Sequence, residues 1–167
     1  GHGIARYNNW VISVPDLLPT ETAIVKIIKR KGSLWLASKI HEINLSKSRC
    51  RPKCLVAEHC GGCNLQHLSP RGQLKIKNSY VCETLKRIGN IKTKLTITKS
   101  EVGNYLHYRN KCIIPLGKSN EGKLLLGYYR RNTHEIVDII NCHVLDHRID
   151  NALSEMKSDI EKSDCRI

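Results

Sequence analysis

The chain has 167 residues, room for one sizeable core or two small ones, and its 28 Lys and Arg against 15 acids give a formal net charge of +13. Such an excess implies an anionic partner, a nucleic acid or a membrane surface, and no run approaches the roughly 18 apolar residues of a spanning helix, which excludes an integral membrane segment here. From Lys26 to Lys53 there are nine bases and one acid, Glu42, whereas His143 to Ile167 holds four bases and six acids, so the polyanion-facing part is expected in the front and middle.

Trp10 to Val14, bounded by Asn8-Asn9 and Pro15-Asp16, predicts a strand. Thr22 to Ile28 and Leu34 to Ile43 predict two more, joined through a hairpin turn at Lys31-Gly32-Ser33. Short strands in a basic stretch suggest a small oligonucleotide-binding-type β-barrel over 1–47, with Lys29, Arg30 and Lys31 as candidate RNA contacts. A ligand-free meander is the competing reading. Residues 48–69 are rich in Cys and Gly with little periodicity, and a loop of that length needs something to organise it. Ser69-Pro70 then supplies an N-cap and a first-turn proline. Leu74, Val81, Leu85 and Ile88 share one helical face, and Lys86-Arg87 with Gly89 suit a C-terminal end, giving a connecting helix within 70–91.

Over 92–167, Thr93–Lys99, Arg109–Leu116, Leu124–Tyr129 and Glu135–Ile139 read as strands, with turns at Gly117–Gly122 and Arg131-Asn132-Thr133. Asp146 to Lys162 carries Ile149, Leu153, Met156 and Ile160 at helical spacing, as core contacts. The expectation is a β-rich α+β chain: barrel, cysteine loop, helix, then an antiparallel-sheet central domain. In that domain Tyr108, Arg109, Lys111, Tyr129 and Arg130 are candidate RNA contacts, the tyrosines for stacking and the bases for the backbone.

Eight cysteines invite a disulfide reading, but no hydrophobic secretory segment opens the chain. Cys54, Cys60 and Cys63 form C-x5-C-x2-C, and Cys142 stands far downstream at a strand end. Clustered thiolates select zinc or iron–sulfur centres. Structural zinc usually takes two close ligand pairs, and only one short pair exists here, so a three-plus-one set favours iron–sulfur ligation, with zinc or no metal as alternatives. Gly61-Gly62 would leave backbone amides free to approach sulfide. Cys50 could substitute as a ligand, while Cys82, Cys112 and Cys165 read as small buried hydrophobes.

Cys54-x5-Cys60-Gly61-Gly62-Cys63-Asn64-Leu65-Gln66-His67-Leu68, followed by Gln73-Leu74 and Lys77, resembles the cluster segment of bacterial RNA (uracil-5)-methyltransferases. Gly1-His2-Gly3-Ile4-Ala5-Arg6, Val14-Pro15 and Leu18-Pro19-x-Glu21 look like their opening TRAM domain, here without its first strand. Tyr108-Arg109-Asn110-Lys111 is similar to the central-domain signature, and Val137-Asp138-Ile139 leading to Cys142 to the strand supplying the fourth ligand. Leu55, Asp16 and Cys50 depart from the usual residues at their positions.

The resemblance implies a 4Fe–4S cluster on Cys54, Cys60, Cys63 and Cys142, and TRAM and central domains that grip structured RNA, rRNA rather than tRNA. It also implies a cytoplasmic, S-adenosylmethionine-dependent enzyme whose cofactor-binding and catalytic domain would lie beyond Ile167, so these residues alone are expected to be inactive. No catalytic residue, membrane contact or protein partner is expected within them. The alternative is a free-standing RNA-binding module with a structural zinc or iron–sulfur centre and no catalysis. A radical S-adenosylmethionine enzyme would need C-x3-C-x2-C ahead of the TRAM segment, and both spacing and order disagree.

Overall fold

Asn8, at φ 50°, turns strand β1 (His2–Tyr7) back onto β2 (Trp10–Pro15), and Gly32, at φ 61°, does the same between β3 (Thr22–Lys31) and β4 (Leu34–Asn44). The computed structural model describes residues 1–97 and 100–163, and the chain divides into two units. The first comprises Gly1–Arg51 and Asn64–Ser100, the second Pro52–Cys63 and Glu101–Ile167, so the cysteine-rich stretch is split between them.

In the first unit the strands form one sheet in the order β1-β2-β4-β3, with β1 and β3 at its two ends. β1/β2 and β3/β4 pair antiparallel, while β2 and β4 run parallel from Val11↔Leu34 to Ser13↔Leu36. Three register shifts bend β3 against β4, the kind of irregularity that coils a small sheet. Ile12, Val14 and Ala37 are buried at its centre, with Leu17, Val25, Ile27 and Trp35 packed around them.

Beyond the strands, Glu21 ties the unit together. Its carboxylate receives Arg49 Nε and Nη2 at 2.6 Å each, the Leu18 amide at 2.8 Å and the Ser46 amide at 3.1 Å. Burial opposes its charge, but the Arg49 bond and the two amides outweigh that and lower its pKa to about 2. Helix α1 (Pro70–Arg87) begins where Ser69 Oγ accepts the Gly72 amide, with Lys86 and Arg87 in its last turn. Much of its apolar surface is uncovered: Val81, Leu85 and Tyr80 are exposed, as is Ile88 just past its end.

The second unit is built on a three-stranded antiparallel sheet, β5 (Leu116–Lys118), β6 (Leu124–Tyr129) and β7 (Ile136–Asp138), with β6 central. Helix α2 (His147–Lys162) starts at Asp146, whose carboxylate accepts the Arg148 amide at 3.0 Å. Lys157 of α2 donates to both oxygens of Asp138, at 2.6 and 2.7 Å, and Asp138 also accepts the Leu126 amide at 3.0 Å. Leu145, Val144 and Cys142 are buried, with Tyr128, Ile149, Leu153, Cys63 and Cys112 around them.

The strand predicted over Arg109–Leu116 is corrected. Only Leu116 enters a strand, Ile113 is 80% exposed, and Arg109 makes one parallel bridge with Leu145. Pro115, which lacks an amide proton, stands inside that stretch, and the backbone around Arg109 is satisfied instead by Val144 O and the Asp146 amide. Residues 93–97 form no strand either; Thr98 and Lys99, the end of that prediction, lie outside the described residues, as does Cys165. Among the described residues no helix is long and apolar enough to cross a membrane.

Candidate metal centre and nucleic-acid surface

Cys54, Cys60, Cys63 and Cys142 all belong to the second unit. Cys60 and Cys142 are buried, Cys54 and Cys63 half-buried. Burial pushes the Cys60 thiol up, the Gly62 amide pulls it partly back, and Cys63, Cys54 and Cys142 all stand near enough to push it further. Burial likewise raises Cys142, against the amides of Val144 and Leu145, and Cys63 adds to the rise. Cys60 thus lies within electrostatic reach of the other three thiols, and Cys142 within reach of Cys63. Among the described residues no three His, Cys, Asp or Glu side chains converge tightly enough to hold a single metal ion.

The 54–63 loop is held by the hairpin of β6 and β7 and by two arginines. The Gly61 amide donates to Tyr129 O at 2.9 Å, and Cys60 bridges Arg130. Arg131 Nη2 donates to Cys63 O at 2.9 Å and Ala57 O at 3.4 Å, and Arg109 Nη2 to Gly62 O at 2.8 Å. The two glycines have a steric reason to be there. A Cβ on Gly61 would stand 2.6 Å from Tyr129 O, and one on Gly62 2.9 Å from the Tyr128 ring. Of their amides, that of Gly62 faces sulfur, 3.4 Å from Cys60 Sγ, while that of Gly61 goes to the strand. Asp150 accepts the Cys142 amide at 2.9 Å and so fixes the remote thiol from the first turn of α2.

The donor types present, four thiols with two of them buried and backbone amides aimed at sulfur, are soft ligands of the kind that zinc and iron–sulfur centres take. Cys50 lies in the other unit, its thiol against Gln66 O at 3.5 Å. Cys82 is half-buried on α1, and half-buried Cys112 packs beside Cys142.

Of the candidate RNA contacts, Lys29, Arg30 and Lys31 sit exposed at the end of β3 in the first unit. The others lie in the second. Tyr108 and Lys111 are exposed, and Tyr129, 42% exposed, meets His134 edge-on at 5.4 Å. Arg130 is committed to Glu135, at 2.8 and 3.2 Å, and to His59 at 3.1 Å. Arg109 spends its guanidinium on Gly62 O and lies 5.7 Å from the Tyr128 ring centre. The clamping roles of Arg109 and Arg131 escaped sequence reasoning, because both arginines lie far along the chain from the loop whose carbonyls they hold.

No family model matches the chain. It is 39% identical over 163 residues to an uncharacterised RNA methyltransferase of Parasynechococcus marenigrum, covering 98% of this chain and 35% of that protein. It is 35% identical over 162 residues to one of Listeria monocytogenes, covering 97% and 35%. The crystal structure of Pyrococcus abyssi tRNA (uracil-54, C5)-methyltransferase, bound to S-adenosyl-L-homocysteine, superposes with a TM-score of 0.61 at 26% identity, over 96% of this chain and 37% of that one. The chain is homologous to RNA methyltransferases of the uracil-5 type, and it spans about a third of the length of the relatives it matches.

Proposed function

We propose that these residues are the RNA-binding and 4Fe–4S-carrying part of an S-adenosylmethionine-dependent RNA (uracil-5)-methyltransferase acting on rRNA or tRNA. The observation that carries this reading is the match to RNA methyltransferases over 98% of the chain, joined to the gathering of Cys54, Cys60, Cys63 and Cys142 in one unit. The sequence motifs of the front strands, the cysteine loop and the segment around Tyr108–Lys111 each resemble a segment of that family. A tetrahedral zinc needs its sulfurs about 2.3 Å from one point, whereas a four-iron cube takes them at separated corners. The spacing, with one short pair, Cys60 and Cys63, and a remote Cys142 where structural zinc usually takes two close pairs, favours the cube.

Cys54, Cys60 and Cys63 of the loop and Cys142 ahead of α2 would hold the cluster, which would supply a structural cross-link between those two segments. Ligated by four protein thiolates, such a cluster would have no open iron position for substrate. Methyl transfer to carbon 5 requires a sulfonium donor, a nucleophilic thiolate and a base in one pocket, and we assign none of these to the present residues. The test is incubation of the chain with labelled S-adenosylmethionine and unmodified rRNA or tRNA. The RNA should bind with strong salt dependence and stay unlabelled; label in 5-methyluridine, or no RNA binding at all, would contradict this assignment.

A further inference from the structure

The parallel pairing of β2 with β4 sets two turns side by side. Val11 pairs with Leu34, so the Tyr7–Trp10 turn and the Lys31–Leu34 turn emerge at the same end of the sheet. The only two tryptophans of the chain stack there, Trp10 on Trp35, with ring centres 4.5 Å apart and planes 23° from parallel. Trp35 packs on the buried cluster of Ile12, Val14 and Ala37, and the Arg30 guanidinium lies 5.5 Å from its ring centre. Trp10 adds little to that core: it remains 45% exposed, beside Tyr7 at 66%. Arg6, Lys29, Arg30 and Lys31 are exposed around the same turns, and no acid occurs from Gly1 to Pro15 or from Thr22 to His41.

A wet indole seated on a second one, flanked by exposed bases on strands free of acids near it in sequence, has the chemistry of a stacking surface for a nucleobase. The base meets an extended π-face, already rigid because Trp35 is anchored in the core, and the cations meet the flanking phosphates. Duplex RNA offers no free base face, so the complementary ligand is a single strand.

We propose that the Trp10–Trp35 pair is a stacking site for one unpaired RNA base, with Arg6, Lys29, Arg30 and Lys31 holding the adjoining backbone. This rests on the RNA-binding reading above and adds to it the strandedness of the ligand and the residue that receives it.

Because both tryptophans lie in this site, their emission reports on it alone. An unstructured oligouridylate of about ten nucleotides, within the length such sites span, should quench the emission in step with binding measured by anisotropy of a labelled strand. Trp10→Leu should weaken binding about 5- to 100-fold with the salt slope unchanged, and Trp10→Phe should recover most of the loss. Lys29→Ala with Lys31→Ala should keep the quenching while lowering the salt slope by roughly 0.7 per charge. Binding without quenching, wild-type affinity in Trp10→Leu, or equal quenching by a blunt RNA duplex would overturn the stacking site and leave the RNA-binding function standing. No binding of either RNA would overturn both.

Discussion

Arg131 donates through Nη2 to the carbonyl oxygen of Cys63 at 2.9 Å, so the turn that follows β6 grips the last cysteine of the 54–63 loop. The same nitrogen reaches Ala57 O, and Arg109 takes Gly62 O from another segment. A guanidinium can serve several carbonyls at once in a fixed fork; an ammonium cannot reproduce that geometry.

Arg131→Ala should therefore loosen the loop, at about 1.5–3 kcal/mol for a lost charge-assisted hydrogen bond. Thermal unfolding should show the loss, and chelator-driven release of a reconstituted cluster should accelerate. Arg131→Lys should restore little of either. Wild-type release kinetics in Arg131→Ala would remove the clamp from the account.

Glu21 makes the first unit acid-sensitive in a defined window. Its pKa falls from 4.5 to about 2 on folding, and its side chain is 1% exposed where it pairs with Arg49. A depressed folded pKa contributes stability that is complete above the unfolded value and lost as pH falls through the folded one. The contribution is on the order of 3 kcal/mol, disappearing between pH 4.5 and about 2. Acid titration followed by Trp emission should show that slope, and Glu21→Gln should flatten it while lowering stability at neutral pH.

The uncovered face of α1 should make the isolated chain self-associate. Val81 is 47% and Leu85 41% exposed, with Tyr80 and Ile88 more so. Contiguous apolar surface of this kind draws copies together. Sedimentation should show concentration-dependent association that Val81→Lys with Leu85→Lys reduces; a monomer at all concentrations would show that the patch is too small to matter.

What could be read from the residues alone was whatever had a local cause. Ser69 and Pro70 marked the start of α1, the helical spacing over Asp146 to Lys162 became α2, and the run Leu124–Tyr129 became β6 at its predicted limits. β1 escaped because it is an edge strand with five of six residues exposed, leaving no apolar alternation to see. The stretch 109–116 misled because Ile113-Ile114 mimic a buried strand while Ile113 faces solvent. Two relationships are purely tertiary: the arginines on the cysteine loop, and the indole stack made by a parallel β2/β4 pairing that no spacing announces. The cysteine set was legible as a pattern, and the steric need for Gly61 and Gly62 against Tyr128 and Tyr129 was not.

Ligand substitution separates the four assigned thiols from Cys50. Cys142→Ser removes a buried thiol fixed by Asp150 and central to the core of the second unit, so it should cost both bound iron and the folding of that unit. Cys50→Ser should retain iron, because that thiol lies in the first unit against Gln66 O. Iron lost from Cys50→Ser and retained in Cys142→Ser would reverse the assignment.

The central claim is tested most directly by metal and sulfide analysis of the chain purified without oxygen. The account predicts a brown protein with about four irons and four sulfides per chain and broad absorption near ~400 nm. A colourless protein holding one zinc per chain would contradict it.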